Sequence, residues 1–108
     1  MAQQLDSQSF SKAVNGKIPI IVDFWAEWCG PCKMLGPVFE KVSADFKGKL
    51  DFAKVNVDES QDIASKHGVM GIPCLIVFNK GEEVDRIVGA MPEASLKAKI
   101  EGILGSIG

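Results

Sequence analysis

The chain has 108 residues and a formal net charge of −2; 46% of its residues are hydrophobic and 24% charged. That length supports one self-sufficient core, and that composition belongs to an ordinary globular domain rather than a disordered chain. The near-neutral balance leaves no basic stripe for nucleic acid and no polybasic patch for a membrane surface.

The opening MAQQLDSQSF lacks the charged and apolar regions of a signal peptide, and every apolar run is far too short to span a bilayer. No repeat, low-complexity tract or linker composition interrupts the chain. The expectation is a single domain over residues 1–108, monomeric, in the reducing cytoplasm. Three cysteines is an odd count, which argues against a paired disulfide framework. In a reducing compartment a close pair reads as metal-binding or catalytic instead.

In chain order, a short helix is expected from Ser9 to Val14, with Phe10, Ala13 and Val14 on one side and Gly16 ending it. Ile18 to Ala26 is almost continuously apolar and β-branched, as a central strand covered on both faces requires. From Pro31 to Phe46 the period becomes helical through Leu35, Val38, Phe39, Val42 and Phe46, with Gly48 as the stop. Pro37 removes a backbone donor inside that helix and predicts a kink. DFAKVNVD, from residue 51 to 58, reads as a second strand, followed by a helix from Ser60 to His67 closed by Gly68. Cys74 to Phe78 is another buried-type strand, NKGE a turn, and EVDRIVG the more exposed return of a hairpin. Leu96, Ile100, Ile103, Leu104 and Ile107 mark an amphipathic C-terminal helix opened by Pro92 and Glu93. This order predicts an α/β layer structure around a mixed central sheet.

The chemistry centres on WCGPCK, Trp28 to Lys33. Cys29 falls where the central strand ends and a helix begins. Pro31 suits the first helical turn, where its missing N–H would have had no partner. Free backbone N–H groups and the positive end of the helix dipole favour a thiolate there, which makes Cys29 the candidate nucleophile. Cys32 is carried back into the helix, placed to attack a mixed disulfide formed on Cys29. Gly30 and Pro31 keep the loop compact enough for that closure.

Two other uses of the pair compete. A structural zinc site needs about four ligands, and only Cys74 and His67 remain as further candidates. A static staple across so short a loop removes little chain entropy. A strand before the pair and a helix after it favour redox chemistry. Rival functions are a metal or iron–sulfur carrier using Cys29, Cys32 and Cys74, and a binding module without turnover.

Asp23 is the odd residue in its apolar run. Burial would raise its pKa and make it a proton carrier near neutrality, whereas a locally wet strand face would leave it ordinary. In GIPC, Gly71 to Cys74, a proline at a strand start is permitted, and its peptide bond can be cis in a tight turn. Cys74 reads either as a small buried filler or as a thiol open to oxidants. His67 reads as a helix terminus.

VDFWAEWCGPCKMLGP, from Val22 to Pro37, together with KVNVD, GIPCLIVF and IVGAMP, resembles the thioredoxin family from about Phe10 to Ile103. WCGPC is highly specific to that family. The resemblance implies a thioredoxin fold, an α/β arrangement with a five-stranded mixed sheet flanked by four helices, and adds a first strand near Gln3 to Leu5. It implies a small dithiol–disulfide oxidoreductase that reduces protein disulfides through Cys29–Cys32, binds no cofactor and no metal, and is recycled by an NADPH-dependent flavoprotein thioredoxin reductase. By the same resemblance Asp23 helps deprotonate Cys32, with Lys54 of the next strand tuning it. Trp28 packs around the active-site ring and with Gly30 and Pro31 is expected to meet the substrate, and a cis Pro73 faces the cysteines. Ile72, Pro73, Gly89 and Ala90 contact extended substrate, a form of strand addition. Glycine and proline between the cysteines fit a reductant, since the family's isomerases and oxidants usually carry histidine there. Cys74 departs from the family, which usually has threonine after that proline.

Overall fold

The computed structural model describes residues 2–107, so Met1 and Gly108, the two ends of the expected domain, lie outside the described residues. The elements are β1 (Gln3–Leu5), α1 (Phe10–Val14), β2 (Ile20–Trp25), α2 (Gly30–Ser43), β3 (Asp51–Asn56), α3 (Gln61–Lys66), β4 (Cys74–Asn79), β5 (Glu82–Val88) and α4 (Glu93–Ile107). The strands form one sheet in the order β1-β3-β2-β4-β5. The first three run parallel to one another, while β4 is antiparallel to both β2 and β5. The predicted layer structure and mixed sheet are therefore present, as is the first strand that the resemblance supplied.

β2 lies in the middle and is buried along both faces, which is why its sequence is apolar without alternation. Ile21, Leu75, Val77 and Ile87 point to one side, where Leu35, Phe39 and Val42 of α2 and Leu96, Ile100 and Ile103 of α4 cover them. Val22, Phe24, Val55, Cys74 and Ile76 point to the other, against Phe10 and Val14 of α1 and Ile63 of α3. Two layers of helix over one sheet thus hide both apolar faces.

Element ends shift for local reasons. β2 starts at Ile20, not Ile18: Pro19 has no N–H to give the ladder, though its carbonyl accepts from Asp51 N–H at 2.9 Å. It stops at Trp25 because Ala26 turns the chain, its carbonyl accepting from Cys29 N–H at 3.2 Å. β3 ends at Asn56, two residues early: the Asn56 side chain accepts from the N–H groups of Asp58 (2.9 Å) and Glu59 (3.2 Å) and folds the strand into a turn. The long helix runs unbroken through Pro37, whose ring is exposed, and tightens into a 3₁₀ turn at Ala44–Phe46.

A candidate redox site at the start of α2

Cys29 is the N-cap of α2, and its φ of −90° and ψ of 108° still belong to extended chain. Its Sγ accepts from the Cys32 N–H at 3.2 Å, the place a serine or aspartate oxygen takes at other helix starts. Proline at the first turn costs no hydrogen bond there. Cys29 and Cys32 are joined by a disulfide with Cα atoms 5.2 Å apart, within the range a disulfide needs. Both cysteines are buried, and they share a small cluster with Ala26, Trp25, Val57 and Ile72. Gly30 and Pro31 between them are exposed.

The peptide bond from Ile72 to Pro73 is cis. The Ile72 carbonyl oxygen lies 3.9 Å from Cys29 Sγ, so the segment before β4 stands directly beside the first sulfur. Ile72 is half-buried and Pro73 buried, so of the two it is Ile72 that offers surface. Gly89, at φ +101°, donates its N–H to the Pro73 carbonyl at 2.9 Å, which ties the end of β5 and exposed Ala90 to that segment. The positive φ is what reserves position 89 for glycine.

Trp28 is 70% exposed, and its indole Nε1–H donates to Asp58 Oδ2 at 2.9 Å. Asp58 is a site residue that sequence reasoning missed. The signal was the asparagine two residues before it, since Asx turns reverse the chain locally and bring Asp58 to face the cysteine loop.

Asp23 is fully buried on β2, and neither carboxylate oxygen has a hydrogen-bond partner among the described residues. It pairs in register with Lys54 on β3 and Leu75 on β4, which places it on the α2 side of the sheet. Burial pushes its carboxyl up from 3.8 to about 7, against a smaller opposing pull from the Lys54 ammonium. Lys54 Nζ itself stands 4.8 Å from the centroid of the Trp25 ring, a cation–π contact rather than an ion pair with Asp23. Trp25 also follows Asp23 on the same strand face, so carboxyl, lysine and indole form one group, of which Trp25 packs against the cluster of the two cysteines.

Cys74 belongs elsewhere. It is the free thiol, it pairs with Phe24, and it packs in the layer of Phe10 and Phe78 on the opposite side of the sheet from α2. Burial raises its pKa, with Arg86 of β5 pulling it partly back. The buried-filler reading of this residue fits that position. No group of three or more histidine, cysteine or carboxylate side chains capable of holding a metal occurs among the described residues.

The sequence matches the Thioredoxin family over residues 1–102. It is 41% identical over 100 residues to Thioredoxin 1 of Nostoc sp., covering 93% of this chain and 94% of that one. It is 43% identical over 97 residues to a thioredoxin of Rickettsia felis, covering 89% and 92%. Against chloroplastic Thioredoxin M4 of Arabidopsis thaliana it is 41% identical over 99 residues, covering 92% of this chain and 51% of that one. A match of this extent, with the matched cysteines disulfide-bonded at a helix start, makes the chain a member of the thioredoxin family and a dithiol–disulfide oxidoreductase whose redox group is its own Cys29–Cys32 pair.

Proposed function

We propose that Cys29 is the attacking sulfur, Cys32 the resolving one and Asp23 the proton carrier in the reduction of protein disulfides. The observation that carries this assignment is the cap: Cys29 Sγ already accepts a backbone N–H at the positive end of α2. A thiolate at that point gains from the same donor and from the helix dipole.

In the reduced protein, the Cys29 thiolate attacks one sulfur of the substrate disulfide. A mixed disulfide forms and the other substrate sulfur leaves as a thiolate, which takes a proton. Cys32 then loses its proton towards Asp23 and attacks Cys29 Sγ, so the second substrate sulfur leaves and Cys29–Cys32 closes. Two electrons pass to the substrate with two protons, one released by Cys32 by way of Asp23 and the other taken from solvent. A carboxyl titrating near 7 is matched to a proton transfer at neutral pH. Lys54 tunes that carboxyl electrostatically, and Trp28, Gly30, Pro31, Ile72, Pro73, Gly89 and Ala90 form the rim that meets the substrate backbone.

The closed disulfide must be reduced again, and we assign that step to an NADPH-dependent flavoprotein thioredoxin reductase. The setting is a reducing compartment, the cytoplasm, and the working unit a single-domain monomer. An odd number of cysteines and a buried, unpaired third thiol support such a setting.

Cys32→Ser tests the order of events. The variant is expected to trap a mixed disulfide between Cys29 and a protein substrate, seen by peptide mapping. An adduct mapped to Cys74, or no adduct from a substrate that the unaltered protein reduces, overturns the assignment.

A further inference from the structure

Asp23 and Lys54 are register partners on adjacent parallel strands, so both side chains leave the sheet on the same face. A buried carboxyl with a lysine one strand away is the ordinary setting for an ion pair, yet none forms. Neither Asp23 oxygen has a hydrogen-bond partner among the described residues, and Lys54 Nζ stands 4.8 Å from the centroid of the Trp25 ring instead. Trp25 lies two residues beyond Asp23 on β2, on that same face. The lysine therefore leans towards the carboxyl ends of the strands and away from the residue it pairs with in register.

Three features favour that position. The ring is held by packing against the cluster of Cys29 and Cys32, and its face attracts an ammonium. Charge acts in the same direction: the carboxyl ends of β1, β2 and β3 border a crevice of about 390 Å³, lined by Trp25 and by the carboxylates of Asp6, Glu27 and Glu59 among others. Solvent is the third. Asp23 is fully buried and Lys54 only half-buried, so bringing the ammonium down to the carboxyl would strip its water. The other elements packed around Asp23 bring no charge to it. β4 supplies Leu75 in register and turns the Cys74 thiol to the opposite face. On the Asp23 side α2 and α4 present Leu35, Phe39, Leu96 and Ile100, with the Cys32 sulfur at the start of α2.

We propose that Trp25 is a positioning residue, whose ring holds the Lys54 ammonium off Asp23 so that the proton carrier works as an unpaired carboxyl. The proposal rests on the redox reading above, in which Asp23 takes the proton of Cys32, and adds the residue that sets its charge state. An ammonium in contact favours the ionised carboxyl and carries its titration out of the neutral range. A carboxylate so stabilised is a weaker acceptor for a proton at neutral pH. With the lysine on the ring, burial outweighs the pull of Lys54 and Asp23 titrates at about 7.

The test follows the Asp23 carboxyl carbon by NMR in the oxidised protein, its signal assigned by its loss in Asp23→Asn. The pH profile of kcat/KM on a protein disulfide is measured beside it. Trp25→Leu frees the ammonium, and the Asp23 midpoint is expected to fall by about one pH unit or more. Trp25→Phe keeps a weaker ring in place and should lower it by about half as much. Lys54→Met should raise the midpoint, and adding either Trp25 substitution to it should then change little. An unchanged midpoint in both Trp25 variants overturns the proposal, and where Trp25→Leu does not fold the Trp25→Phe cycle decides alone. An equal fall with and without Lys54 overturns it as well, because water admitted beside a smaller side chain then accounts for the fall. The acid limb of kcat/KM should move down together with the midpoint. A midpoint that falls while the acid limb stays in place leaves Trp25 holding the lysine and defeats the proton-carrier reading instead.

Discussion

Asp23 and Cys74 sit on neighbouring antiparallel strands, yet they face opposite layers of the protein. Asp23 pairs with Leu75, on the side covered by α2 and α4, and Cys74 pairs with Phe24, on the side covered by α1 and α3. A strand reverses side-chain direction at every residue, so this one-residue offset separates a group below the redox helix from a thiol in the opposite core layer. Each of the two makes a prediction.

For Asp23 the sign follows from its raised pKa. The folded protein holds the proton up to about pH 7 while the unfolded chain releases it near 3.8, so stability is lost as pH rises between those values. A gap of about three pKa units sets the cost of the ionised carboxyl at roughly 4 kcal/mol. Asp23→Asn should therefore stabilise the oxidised protein by a few kcal/mol at pH 8 and by little at pH 4. Urea unfolding across that range checks it, and parallel pH profiles for the two proteins would show that the carboxyl does not titrate late.

Cys74 should be inert in the folded protein. Its side chain is 1% exposed and its pKa is raised, so both access and thiolate fraction are low. In a redox titration with alkylation and peptide mapping, a single two-electron transition confined to Cys29 and Cys32 is expected, with Cys74 labelled only after denaturation. Labelling of Cys74 at native pH, or its appearance in a disulfide, would contradict this placement.

Asp58 should matter through Trp28. Removing the acceptor in Asp58→Ala frees an exposed indole that one hydrogen bond now orients. Such a bond is worth about 1 kcal/mol net, so kcat/KM on a protein disulfide should fall severalfold. No change in kcat/KM would mean that the orientation of Trp28 has no bearing on turnover.

The hairpin between β4 and β5 makes a prediction about stability alone. Lys80 and Gly81 both have positive φ, 54° and 84°, as a two-residue turn matched to strand twist requires. Gly81 N–H also donates to the Val14 carbonyl at 2.8 Å, fastening the turn to the end of α1. A Cβ at Gly81 would run into the Asn15 side chain. Gly81→Ala should cost about 1–3 kcal/mol, whereas Lys80→Gly should be tolerated. Equal stability of Gly81→Ala and the unaltered protein in urea would refute the strain argument.

The central strand and the cysteine pair at a helix start were legible because their signals are local. A β-branched apolar run and a Cys-Gly-Pro-Cys step both lie within a few neighbouring residues. β1 was not legible from pattern. Only Leu5 of its three residues is buried, so no period exists to read, and it was expected through family resemblance alone. The direction of Cys74 was open for a different reason: it depends on strand register, which distant pairings set. The Trp28–Asp58 bond joins residues 30 apart in the chain, and the contact of Lys54 with Trp25 joins two strands. Family resemblance brings Lys54 near Asp23 but does not show which neighbour its ammonium meets.

The two borders of the sheet differ in a way that bears on what other chains can do with it. β1 offers three residues, and β5 carries Glu82, Glu83, Asp85 and Arg86 beside a register shift at Val77/Phe78. Charge, brevity and irregularity all discourage an incoming strand from zipping on. Ile72, uncharged and held beside the sulfur, has none of these deterrents. The same sheet thus discourages strand partners along its borders, while the backbone at Ile72, where the proposed substrate would lie, stays uncharged beside the sulfur.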